Sequence, residues 1–169
     1  MEQSIEVLKR YIQDSIALER NFESRLRAFA KDHDRAEIQS LFVSCADHTK
    51  TQHERLDARL REIGGPPSAM KSFMTHMFGA MPRTGGLGKE DEERDTQDLM
   101  MAYAIGGAEK SMYEVLAAVA NAAGDSETER LAREIQGEKD AMAAKVWSML
   151  APTARESFQR ITETLVQQP

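Results

Sequence analysis

The sequence predicts an all-α bundle of four long helices folded as two antiparallel hairpins, and three observations carry that prediction. Ala, Leu, Glu, Arg, Met and Gln are abundant while β-branched residues are sparse and aromatics make up 6%, a composition that favours helix. Apolar residues recur at steps of three and four along four long stretches, the period of one helix face. Helix-terminating clusters ("KDHD", "IGGPP", "AAGD") separate those stretches.

The size, 169 residues, suits one domain with a single substantial core. A net charge of -6 and a pI near 5.3, with Lys and Arg interspersed among acids, exclude a general nucleic-acid surface. The one cysteine, Cys45, excludes a disulfide within the chain and fits a reducing, cytoplasmic setting. No apolar run approaches membrane-spanning length, and the start "MEQSIEVLKR" has no signal-type apolar stretch.

The first helix is expected over about 4–31, on Ile5, Leu8, Ile12, Phe22, Leu26 and Phe29. Asp34, with Glu37 three residues on, reads as a capping box for a second helix over about 35–63. Its stripe is Ile38, Leu41, Phe42, Cys45, His48, Gln52, Leu56, Leu60 and Ile63, and it stops at Gly64-Gly65-Pro66-Pro67. The third helix is expected from about 90, after an acidic first turn, to 123, with Gly124 ending it. Asp125 or Ser126 then caps a fourth helix to about 150, before Pro152, and "TARESFQRITETLVQQ" reads as a separate C-terminal helix over about 153–167.

Loop lengths set the topology. The first and last pairs are joined by a few residues, so each is an antiparallel hairpin. About 25 residues, 64–89, lie between the pairs, far more than a turn requires. That length carries the chain back along the bundle, so that the middle helices run parallel in the ferritin-like arrangement. Within the crossover, Met70, Met74, Met77 and Met81 predict a short capping helix, with a soft-metal site or an adaptable partner surface as the alternatives.

Polar residues interrupt every apolar stripe at mid-helix: Ser15 and Glu19 in the first, His48 and Gln52 in the second, Glu109 in the third and Glu138 in the fourth. Counted from the hairpin turns, each of Glu19, His48, Glu109 and Glu138 lies about 13–16 residues away, so at about 1.5 Å per residue they share one height. An ionised carboxylate costs several kcal/mol to bury without a partner. Lys110 and Lys139 step off the stripes as counted, which leaves protons or a metal to neutralise the acids, and carboxylates with an imidazole suit iron or manganese. Glu19, His48, Glu109 and Glu138 are the candidate metal ligands, with Ser15, Gln52 and Tyr113 supporting them; hydrogen-bonded core residues are the alternative reading. His33, His53 and His76 read as surface residues, and Cys45 as an inert core thiol whose pKa is raised by burial.

Three stretches, "YIQDSIALERNFESRL", "HTKTQHERLDARLREIGGPPSAMK" and "AYAIGGAEKSMYEVLAAVANAAGDSETERLAREIQGEKDAMAAKV", resemble the YciE/YciF group of bacterial ferritin-like stress proteins over about residues 10–150. The resemblance implies a di-iron template, a Glu from each of two helices and Glu-x-x-His from the other two. Glu19 matches the first-helix acid and Glu138 the fourth-helix acid, with Met142 where a further ligand would stand. His48 and Gln52 stand for the second-helix acid and histidine, and Gly106-Gly107-Ala108-Glu109 lacks the first acid and the histidine of the third helix. The ligand set is depleted against that template. Two functions follow: a stress-associated protein with a ligand-depleted iron or manganese site, or a metal-free bundle acting through homo-oligomerisation, as a dimer, or through a partner. No reaction is assigned.

Overall fold

A computed structural model describes residues 2–66 and 93–167. Four helices follow one another: α1 (Glu2–Asp32), α2 (Ala36–Glu62), α3 (Arg94–Ala123) and α4 (Ser126–Gln167). No strand occurs among the described residues. The crossover helix expected over 69–81, with Met70, Met74, Met77, Met81 and His76, lies outside them.

Turn chemistry sets the hairpins. Gly64 and Gly124 adopt left-handed φ values of 71° and 75°, a region cheap only for glycine. Asp125 caps α4 through the Thr128 amide, which donates to Asp125 Oδ1 at 3.0 Å. The capping box at Asp34 does not form: α2 starts after Arg35, with no side-chain cap, and the residues flanking Asp34, His33 and Arg35, pair with α3 and α4.

Ion pairs fix the topology at both ends. Arg59 near the end of α2 reaches Asp125 at the start of α4, and His33 at the end of α1 meets Asp95 at the start of α3. The end of α2 and the start of α3 therefore lie at opposite ends of the bundle, and α2 and α3 run parallel, as the crossover length implies. The two hairpins, α1–α2 and α3–α4, are the closest pairings, and they face one another through α1–α3 and α2–α4.

α4 corrects one expectation. It continues unbroken through Pro152 to Gln167, where a break near 150 and a separate C-terminal helix are expected from sequence. Proline removes one helical hydrogen bond and costs about 3 kcal/mol in a helix interior. Packing offsets that cost here, since Val146 before the proline and Thr153 and Ser157 after it are all buried.

The core is two apolar clusters separated by a polar layer. The upper cluster centres on Phe22, Leu26, Phe42, Leu99 and Val146. The lower centres on Leu8, Ile12, Leu56, Leu116 and Ile135. Between them, every helix contributes a buried polar side chain: Glu19, Thr49 and Gln52, Glu109, and Lys139.

Candidate functional site: a buried ammonium between two glutamates

Lys139 of α4 sits at the centre of the polar layer and is 2% exposed. Its ammonium donates to Glu19 Oε2 of α1 at 2.7 Å and to Glu109 Oε2 of α3 at 2.8 Å. Both glutamates are fully buried. The Tyr113 hydroxyl donates to the other Glu19 oxygen at 2.6 Å, and Nζ lies 5.2 Å from the centroid of the Phe22 ring, within cation–π range.

Charge balance follows from burial. Two carboxylates and one ammonium leave a surplus negative charge that a dry interior penalises heavily. Burial, together with the Glu19 charge, pushes the Glu109 carboxyl well above the usual range, against the pull of Lys139. Burial draws the Lys139 ammonium down, and Glu109 and Glu19 outweigh it and hold the group above its ordinary value. Tyr113 is likewise pushed well up by burial and by Glu19, so it stays a donor. The neutral arrangement is Lys139 charged, Glu19 ionised and Glu109 protonated. Glu109 Oε1, buried and without a partner, is the oxygen left for that proton.

The sequence-predicted residues divide. Glu19, Glu109 and Tyr113 meet in the core. Ser15 is buried, but its hydroxyl donates to the Tyr11 carbonyl of its own helix at 2.8 Å. Gln52 is buried and donates to Glu138 Oε2 at 2.9 Å. Glu138 itself turns toward the surface, 38% exposed, and accepts from Arg55 at 2.6 Å. His48 faces solvent, with Nδ1 at 2.7 Å from its own helix's Ser44 carbonyl. The expected convergence of Glu19, His48, Glu109 and Glu138 therefore does not occur.

Both displaced residues have one cause. The inner stripe of α4 is Ala132, Ile135, Lys139, Met142 and Val146, and that of α2 is Ile38, Phe42, Cys45, Thr49, Gln52 and Leu56. A step of three from Ile135 or Cys45 lands on Glu138 or His48; the helix takes a step of four and buries Lys139 or Thr49. One residue is about 100° of rotation, enough to exchange core for solvent. The signal that finds Lys139 is the alternating three-and-four step begun at Ala132 rather than at the bulkier Leu131. His33 and His53 are corrections of the opposite kind, expected at the surface and found 4% and 8% exposed; each is paired with carboxylates. Cys45 is a buried thiol pushed up by burial, as expected of an inert core residue.

The fit of an iron or manganese ion can be judged from these contacts. A divalent ion needs oxygen or nitrogen ligands at about 2.0–2.2 Å. The place where Glu19 and Glu109 converge is filled by Nζ of the buried Lys139. Only two carboxylates face it, and no group of three or more His, Cys, Asp or Glu suited to a metal occurs among the described residues. The donor set does not fit the metal that the family resemblance implies.

The comparisons agree on the fold. The E. coli stress protein YciF has a crystal structure 20% identical to this chain, with a TM-score of 0.78, covering 92% of this chain and 99% of that one. A crystal structure from Xanthomonas campestris pv. campestris also gives 20% identity and a TM-score of 0.78, covering 95% and 99%. No curated protein matches. Residues 3–159 match the model of the family described as "Domain of unknown function (DUF892)", which spans nearly the whole bundle and includes Glu19, Glu109 and Lys139. The chain therefore belongs to the DUF892 family and shares the fold of YciF.

Proposed function

We propose that this chain is a metal-independent, ferritin-like bundle protein that acts by self-association rather than by chemistry in its core. The observation that carries this reading is the Lys139 ammonium lodged between Glu19 and Glu109, which supplies from within the positive charge that a metal would bring. A core neutralised and sealed in this way leaves function to the surface.

One face stands out there. Between α3 and α4 lies a largely apolar groove of about 570 Å³, with Met100, Met101, Phe158 and Ile161 among the residues along it. Met100 is 59% exposed and Phe158 67%. The tilted Tyr103–Trp147 pair, with ring centroids 5.1 Å apart, extends the strip along the same two helices, one turn from Met100 and two from Ala154. Contiguous apolar surface of this kind marks an interaction site. Arg155, Glu156 and Arg160 give the rim both signs of charge, which suits a two-fold contact in which each copy offers the same patch. The occupant is thus a second copy of this chain. Likeness to the E. coli stress protein supports a role in stress physiology.

Solution mass tests the association. Light scattering is expected to give at least twice the 19.0 kDa chain mass, falling to that of a single chain in the double variant Met100→Lys, Phe158→Lys. A wild-type protein that stays monomeric on concentration sinks the reading.

A further inference from the structure

The upper end of the bundle carries a second buried cation between two acids. His33, in the α1–α2 linker, places Nδ1 at 2.6 Å from Asp95 Oδ1 and Nε2 at 3.2 Å from Asp98 Oδ2. Asp95 and Asp98 are one turn apart at the start of α3 and, like His33, are no more than 9% exposed. Nε2 approaches Asp98 at ion-pair distance without hydrogen-bond geometry, and a neutral imidazole, with only one N–H, would turn a nitrogen lone pair toward one of the two carboxylates. Both contacts are favourable only for the imidazolium.

Every helix converges on this ring. From α2, Phe42 stacks on it at 5.4 Å between centroids and brings no charge. From the linker, Arg35 lies 3.6 Å from Asp95 and pairs with Glu156 of α4 at 2.7 Å. From α4, Arg160 also lies 3.6 Å from Asp95. Among the described residues, with the ring protonated, three cations (His33, Arg35, Arg160) face three anions (Asp95, Asp98, Glu156). Loss of the His33 proton leaves two against three. The residues next in sequence line the apolar groove: Thr96 follows Asp95, Ser157 and Phe158 follow Glu156, and the Thr96 and Ser157 hydroxyls meet at 3.3 Å.

We infer that His33 is a protonation-controlled clasp on the self-association face, holding the start of α3 and, through Arg35, the C-terminal third of α4 in the geometry that builds the groove. The inference rests on the self-association reading for its consequence, while the clasp has a readout of its own. The attraction of Asp98 and Asp95 outweighs the burial that draws the imidazolium down and holds it above its ordinary value. The clasp is accordingly complete below about pH 6.5, the ordinary histidine value, and is lost as pH rises through the raised one.

Two measurements on the full chain decide it: hydrogen-exchange protection factors, corrected for intrinsic exchange, and solution mass, each followed from mildly acidic to alkaline pH. Protection at 97–102 and 153–161 is expected to fall about tenfold per pH unit between the ordinary and the raised histidine values, and the mass to fall over the same interval. Protection in the lower part of the bundle, around Leu56 and Leu116, is expected to hold. In His33→Asn both readouts are expected to lose this pH dependence. Wild-type protection that is flat with pH at the upper end, or an unchanged profile in His33→Asn, overturns the clasp. Protection that titrates in a protein monomeric at every pH upholds the clasp and overturns self-association instead.

Discussion

The middle and the upper end of this bundle hold the same motif in different surroundings. At both, one cation lies between two carboxylates from different helices. Among the described residues Lys139 is the only cation on Glu19 and Glu109, and Phe22 and the apolar clusters above and below close over it. Around His33, Arg35 and Arg160 also reach Asp95, and the network opens to solvent through Glu156, which is half exposed. Burial ties the charge balance of the sealed cluster to its packing, whereas the open one exchanges protons with water at its rim. The first is suited to fixing structure and the second to responding to pH.

Substitutions separate the two, starting with the largest effect. Lys139→Met leaves Glu19 and Glu109 facing each other without a counter-charge, and removal of one partner from a buried pair costs about 3–5 kcal/mol. Urea unfolding at neutral pH is expected to read that loss. His33→Asn is expected to cost less, about 1–2 kcal/mol for its two buried contacts, because Arg35 and Arg160 remain. Its penalty is expected to shrink as pH rises, since the wild type loses the same contribution when His33 deprotonates.

Within the sealed cluster the two glutamates are expected to differ. Glu109 already carries a proton, so Glu109→Gln keeps its shape and charge and is expected to cost no more than about 1 kcal/mol in the same unfolding assay. Glu19→Gln removes a partner of both Lys139 and Tyr113 and is expected to cost more than Glu109→Gln and less than losing the lysine, since Glu109 still faces the ammonium. The pH profile gives a second check. A group that holds its proton more tightly when folded contributes less as pH rises past its ordinary value, about 4.3 for glutamate. Glu109→Gln should therefore flatten the decline of stability above that pH. The smallest effect belongs to His48→Ala, within about 0.5 kcal/mol, because that ring faces water.

Much of this fold is legible in the sequence. The three-and-four spacing, the glycines at 64 and 124 and the long crossover set helix number, hairpin pairing and the parallel run of α2 and α3. The presence of buried polar groups at one height is legible too, through Glu19, Gln52 and Glu109. Their identity at two positions is not, because a choice between steps of three and four decides whether Glu138 or Lys139 faces inward, and hydrophobicity favours the wrong start at Leu131 over Ala132. A lysine also looks like a surface residue until two acids on other helices are known to face it. The same holds for His33, whose partners lie 62 and 65 residues along the chain, at Asp95 and Asp98. Pro152 misleads for a local reason: its cost is set by its own helix, and its tolerance by the packing of Thr153 and Ser157.

Metal content after reconstitution tests the central claim most directly. Protein purified without chelator, loaded with Fe(II) or Mn(II) and freed of loosely held ions, should retain well below one atom per chain, since the ammonium already holds the place between the two acids. Retention of one or more atoms per chain, lost in Glu19→Gln, would contradict it.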